Sequence, residues 1–236
     1  MPRSLADAAL SPVSARVTVA DSVYQNLRQA LILGRFDPGQ VLTIGALADT
    51  FQTSHMPVRE ALRRLGAEGA VEIRSNGSAY VPEVTLDALE DISRARLALE
   101  GLATELAAAR ISEADLCALE QLEARHSATA QLRDVHEMLE RNRDFHFAIY
   151  GAAGSPVLLN LIESLWLRYG PFMRLLSQRI APQLANGTHE PFQQVHREIV
   201  EAIRARDGAR ARAAILRDIE GTKTLLVDIC AQPRRA

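Results

Sequence analysis

The sequence predicts a mostly α protein, an N-terminal winged helix-turn-helix followed by a C-terminal antiparallel bundle of six or seven helices. Three observations carry that expectation. Ala and Leu supply 37 and 31 of the 236 residues while aromatic residues make up only 5%, a composition of packed helices rather than of a β-sandwich. In the first third, a helix with a basic face is preceded by a short turn and followed by an Asn-Gly hairpin. Beyond Thr85 every stretch has helical apolar spacing, with Gly or Pro at the breaks. The chain is long enough for two domains, each with its own core.

Residues 1–17 are rich in Ala, Ser and Pro without a period and read as a disordered arm. Helical spacing starts at Val19, with Val23, Leu27, Ala30 and Leu31 on one face; it stops at Gly34, and Asp37-Pro38-Gly39 makes a turn. A second helix spans Thr43 to Phe51, with Thr43 as N-cap and Leu47 facing inward. The third begins at Ser54, a capping residue, with Pro57 in the first turn. Its stripe of Val58, Ala61, Leu62 and Leu65 leaves His55, Met56, Arg59 and Arg63 outside. Val71–Arg74 and Ala79–Val81 flank the Asn76-Gly77 turn as a hairpin, with Val71 and Ile73 on one face, and Pro82-Glu83 marks a boundary. The domains are therefore expected at 18–82 and 83–232. Helices are expected at 86–110, 112–127, 132–150, 156–178, 190–207 and 208–230, with Gly170-Pro171 a kink or split and a break from Ala181-Pro182 to Gly187.

Charge narrows the function classes. With 27 basic and 29 acidic residues and a net charge of −2, the chain is no histone-like coat. Of its basic residues 26 are Arg, Lys223 being the single Lys, a bias that a GC-rich genome explains without phosphate binding. Residues 1–82 hold 8 Arg and 7 acidic residues, so DNA affinity has to come from placement, with Arg28, Arg59, Arg63 and Arg74 as candidates for one face. Arg59 and Arg63 lie four residues apart, and Arg grips guanine O6 and N7 with two hydrogen bonds; the competing reading is a solvated charged face. Gly77 allows close approach of the hairpin tip, with Arg74 and Asn76 beside it; it also serves a turn that needs positive φ. One such module binds weakly, which predicts a homodimer on a palindrome. Cys117 and Cys230 read as reduced, buried thiols. The N-terminus lacks a signal-peptide core and no run reaches the length of a membrane span, so a soluble, cytoplasmic protein is expected.

Pro57-Val-Arg-Glu-Ala-Leu62, Leu65, Glu68-Gly69 and the Gly77 wing resemble the winged helix of GntR-type bacterial transcription regulators. Arg96-Leu-Ala-Leu-Glu100, Phe145-His146, Ala152-Ala-Gly154, His196, Ala202-Ile203 and Asp207 resemble the helical FCD effector domain of the FadR subfamily. The resemblance spans about residues 18–230. It implies a DNA-binding regulator, a repressor released from its operator by a small carboxylate, with Ser54, His55, Met56, Arg59, Arg63, Arg74, Asn76 and Gly77 at the DNA. The family often has Arg where His55 stands; a neutral imidazole cannot make the bidentate contact, so the base read there differs.

By the same resemblance, Asn142, His146, His196 and Asp218 occupy the positions that hold a divalent metal in FCD domains, where Asp, His, His and His are usual. Asn replaces the first and Asp the last, which keeps one negative charge and leaves N/O donors suited to Zn or Ni. Arg96 matches the carboxylate-binding Arg, its competing role being an intrahelical pair with Glu100. Arg168 and Tyr169 are further pocket candidates, and His126, His136 and His189 read as surface residues. Two other functions stay open: a DNA-binding regulator whose bundle only dimerises, and a metalloenzyme using the same four residues.

Overall fold

A computed structural model describes residues 18–74, 78–131, 134–186 and 191–230, with the side chains of 130–131 and 191–193 left aside. The predicted arm at 1–17, the Asn76-Gly77 wing tip and His189 lie outside the described residues. The element order begins α1 (Val19–Ile32), β1 (Val41–Leu42), α2 (Ile44–Thr50), α3 (His55–Ala67), β2 (Glu72–Ile73) and β3 (Ala79–Tyr80). It continues α4 (Leu86–Arg110), α5 (Glu113–Ser127), a 3-10 turn at Ala128–Gln131, α6 (Val135–Ala152), α7 (Pro156–Ala185), α8 (Pro191–Arg204) and α9 (Gly208–Cys230).

Local chemistry sets the helix starts. Thr18 and Asp21 form a reciprocal capping box on α1. Thr43, Thr85, Ser112 and Ser155 each accept a hydrogen bond from the first turn of the helix that follows. Ser54 occupies the N-cap of α3, yet its hydroxyl makes no capping bond, contrary to the expectation, and stays exposed. Gly34 ends α1 at a φ of +62°.

The first unit packs α1 across α3 around Val23, Leu27, Leu31, Val58, Ala61, Leu62 and Leu65, all buried. The predicted hairpin is present as β2 and β3, but the sheet has a third strand: β1 pairs antiparallel with β3, Val41 opposite Tyr80 and Leu42 opposite Ala79. Two residues carry no alternation to be read, which is why β1 was absent from the expectation. Val71 is buried, whereas Ile73 remains 44% exposed.

In the bundle, α4 runs along α9 and also meets α6 and α7, while α5 packs on α6 and α8. The predicted break near Pro182 does not occur, and Gly170-Pro171 does not split the helix: α7 is continuous from Pro156 to Ala185 with both prolines inside it. Each Pro removes a single backbone donor, and buried Phe172, Met173, Leu176, Ile180 and Leu184 hold the turns around them. Cys117 is exposed and Cys230 half-buried, neither in a disulfide; the expectation of two buried thiols fails because Cys117 faces away from the α5 core residues Leu116 and Leu119.

The two units share a joint along α7. Gly170 packs so close to α1 that a Cβ there would stand 2.1 Å from the Leu31 carbonyl oxygen, and one at Gly34 would stand 2.5 Å from the Arg174 amide nitrogen. Arg28 pairs with Glu163 at 2.9 Å, and Asp37 accepts from Arg174 at 2.7 Å and Gln178 at 3.1 Å.

Candidate functional sites

The recognition helix α3 presents His55, Met56, Arg59 and Arg63 to solvent, as its apolar stripe requires. Met56 is 68% exposed. Arg59 and Arg63 have no acidic partner among the described residues. Their neighbour Arg64 does: it bonds Asp21 at 2.7 Å and lies 3.9 Å over the Tyr24 ring, which ties α3 to α1. Arg28, expected on the same DNA face, is instead held by Glu163 of α7. Arg74 is exposed at the base of the wing and stacks on Tyr80, 4.5 Å from the ring centre.

In the bundle, α4, α5, α6, α7 and α9 line a cavity of about 30 Å³, and α8 brings His196 up beside it. His146 from α6, His196 from α8 and Asp218 from α9 are all buried there, with one ligand atom of each inside a 4.8 Å cluster. His146 Nε2 lies 3.4 Å from Asp218 Oδ2 and His196 Nε2 lies 3.5 Å from Asp218 Oδ1. Asn142, one turn before His146, lines the same cavity. Behind the cluster, Tyr150 donates its hydroxyl to Glu100 and so accepts from His146 Nδ1 at 3.1 Å, which leaves the His146 Nε2 lone pair facing the cluster. Burial holds His146 down to about 3, neutral at ordinary pH, and Asp218, despite its burial, is lowered to about 2 by the close approach of His196 and His146.

His126 overturns its predicted surface position. It is buried, with Nδ1 3.2 Å from His196 Nδ1, so it orients the His196 ring as Tyr150 orients that of His146. Its partner lies 70 residues away on another helix, beyond the reach of local spacing. Tyr150 was overlooked too, although its i+4 spacing from His146 was a usable signal. His136 is half-buried on α6.

Arg96 lines the cavity, but its guanidinium is already engaged. Nε donates to Glu100 Oε1 at 2.7 Å, and the two side chains are 5% and 0% exposed. Trp166 Nε1 donates to the same carboxylate at 3.1 Å. The competing role of Arg96, the i+4 pair, is therefore realised, and the cavity receives no net charge from it. Tyr169 lies beneath the guanidinium at 4.1 Å, with a buried hydroxyl that makes no geometrically sound hydrogen bond and a pKa pushed up to about 12 by burial. Arg168 is corrected outright: exposed on α7, it leaves the cavity and donates to the Glu68 carbonyl oxygen at 2.9 Å, because adjacent residues on a helix point about 100° apart.

A helix-turn-helix whose second helix exposes two arginines, joined to a helical bundle around a His/His/Asp cluster, defines a two-domain transcription regulator. Residues 19–81 match bacterial regulatory proteins of the gntR family and residues 91–221 match the FCD domain; the chain belongs to the gntR family with an FCD domain. It is similar to the HTH-type transcriptional regulator McbR of Escherichia coli K12, 34% identical over 166 residues covering 70% of this chain and 75% of McbR. The HTH-type transcriptional repressor GlaR of the same organism is 31% identical over 198 residues, covering 80% and 86%. The solved structure of E. coli McbR/YncC superposes with a TM-score of 0.83 at 28% identity, covering 91% of this chain and 99% of that one. These relatives are regulators, which sets the metalloenzyme alternative aside. The chain is a DNA-binding transcription regulator with an FCD effector-binding domain. No helix among the described residues is long and apolar enough to cross a membrane.

Proposed function

We propose that this regulator is a cytoplasmic homodimeric repressor that reads a palindromic operator through Arg59 and Arg63 and is released by a small organic acid entering the bundle cavity. The observation that carries the effector half is a pair of orphaned atoms. His196 Nε2 and Asp218 Oδ1 are buried 3.5 Å apart, too far for a sound hydrogen bond to each other, and neither has another hydrogen-bond partner among the described residues, a costly arrangement unless something else fills their valence. Together with His146 they offer two imidazole nitrogens and a carboxylate, and Asn142 a carboxamide oxygen, a donor set that fits a divalent ion such as Zn²⁺ or Ni²⁺. When bound, the ion supplies a Lewis-acidic positive charge to the cavity floor. The residues around it do the selecting: Tyr169 offers an unpaired hydroxyl, and Met138, Leu139, Met173, Leu176 and Ile180 form an apolar wall. With Arg96 neutralised by Glu100, an acid gains little from the guanidinium alone, so acid binding should require the metal.

Elemental analysis of purified protein, followed by thermal-shift screening of small organic acids with and without Zn²⁺, tests this reading. About one equivalent of metal per chain and acid-induced stabilisation seen only in the metal-loaded form are expected. The Arg96–Glu100 pair favours one other reading, a bundle that only dimerises; a metal-free protein that no acid stabilises would establish it.

A further inference from the structure

The two functional halves share a wall. On one stripe of α7, Trp166, Tyr169, Met173, Leu176 and Ile180 line the cavity. On the neighbouring stripe, Glu163, Gly170, Arg174 and Gln178 hold α1 and the turn after it. Tyr169 and Gly170 are consecutive, so the backbone under a cavity residue is also the backbone that touches the Leu31 carbonyl. Arg168, the residue before them, reaches past α1 to the Glu68 carbonyl. Glu68 is the C-cap of the recognition helix, where carbonyl oxygens lack helical partners and a cationic donor is favourable. A Cβ at the next residue, Gly69, would stand 3.3 Å from Arg168 Nε, so the guanidinium is seated against the helix end.

We infer that α7 conveys the state of the cavity to the DNA-reading helix, with Arg168 as the positioning residue that couples the two. Local chemistry sets the direction. A side chain or ligand that enlarges the cavity contents pushes on Tyr169 and Met173, α7 has close backbone contact with α1 at Gly170 and cannot yield there without moving Leu31, and Arg168 transmits the displacement to the C-terminal end of α3. Coupling needs such a contiguous element whose position both sites bias. The inference goes beyond the effector reading, since it concerns how occupancy is transmitted and not what occupies.

A double-mutant cycle on the full-length protein tests it without metal or effector, so its failure is separate from failure of that reading. The probe is a fluorescent duplex selected by the wild-type protein from a random pool. Met173→Trp, which fills the cavity from α7, is expected to change duplex affinity at least five-fold in the wild-type background and less than two-fold beside Arg168→Ala. Arg168→Lys, which keeps a donor for the carbonyl, is expected to restore part of the coupling. Hydrogen exchange of the amides at 64–70 should quicken in Arg168→Ala while that of α4 and α9 stays unchanged, an effect that general destabilisation would not confine to α3. Leu176→Phe repeats the cycle if Met173→Trp fails to fold. Equal affinity shifts in both backgrounds, or no shift from either cavity substitution in the wild-type background, overturn the inference.

Discussion

The recognition helix and the cavity helix α4 each place an arginine four residues from a charged neighbour, and they use it in opposite ways. On α3 the neighbour is a second arginine: Arg59 and Arg63 face solvent together, a repulsive arrangement that costs little in water and leaves both forks for a polyanion. On α4 the neighbour is Glu100, and burial makes the pair obligatory, because an uncompensated guanidinium in the core is far costlier than an exposed one. The difference teaches that an arginine in this chain is free to bind a ligand only where water, rather than protein, supplies its counter-charge.

The most severe way to break that contrast is Glu100→Gln. It strands Arg96 in the core and should lower stability by about 3–5 kcal/mol, visible as a fall in melting temperature. Replacing Arg96 and Glu100 together by Met and Leu should recover only part of the loss, because the Tyr150 hydroxyl and Trp166 Nε1 then lose their buried acceptor. Arg59→Ala should do the reverse, leaving the melting temperature unchanged and weakening duplex binding by about 1–3 kcal/mol through loss of a bidentate base contact, measured by fluorescence anisotropy at fixed salt.

Acid acts strongly on the buried region. His146 is held neutral down to about 3 in the fold but takes a proton near its ordinary value of 6.5 once unfolded. The unfolded chain therefore binds more protons between these values, and stability present above pH 6.5 is lost as the pH falls toward 3. Asp218, lowered to about 2, adds to the loss below pH 3.8. The melting temperature of metal-free protein should drop from pH 7 to pH 4, and His146→Asn should flatten that slope. The smallest effect belongs to Arg64, whose bond to Asp21 is about half exposed: Arg64→Ala should cost less than about 1 kcal/mol. A larger loss would show that its stacking on Tyr24 matters more than the charge.

Much of the N-terminal unit was legible because its signals are local. The Val58, Ala61, Leu62 and Leu65 stripe, the Thr43 cap and the stop at Gly34 all act within a few residues, and the structure has each of them. The cavity was legible only in part. His146, His196 and Asp218 meet as the resemblance implied, and the i+4 step from His146 to Tyr150 was readable, whereas His126 and the bonds of Tyr150 and Trp166 to Glu100 arise where separate helices converge, and no spacing along the chain encodes that meeting. Arg168 shows the same limit from the other side: it is next to a cavity residue in sequence and belongs to a different contact.

The glycine at 170 also bears on how the molecule can be re-engineered. With the α7 backbone pressed on the Leu31 carbonyl and Gly34 pressed on Arg174, the DNA-reading unit is not a cassette to be exchanged at the Pro82-Glu83 junction. A chimera that keeps this bundle and imports another reading head would have to bring a glycine-sized surface at the end of its first helix, or carry α7 with it.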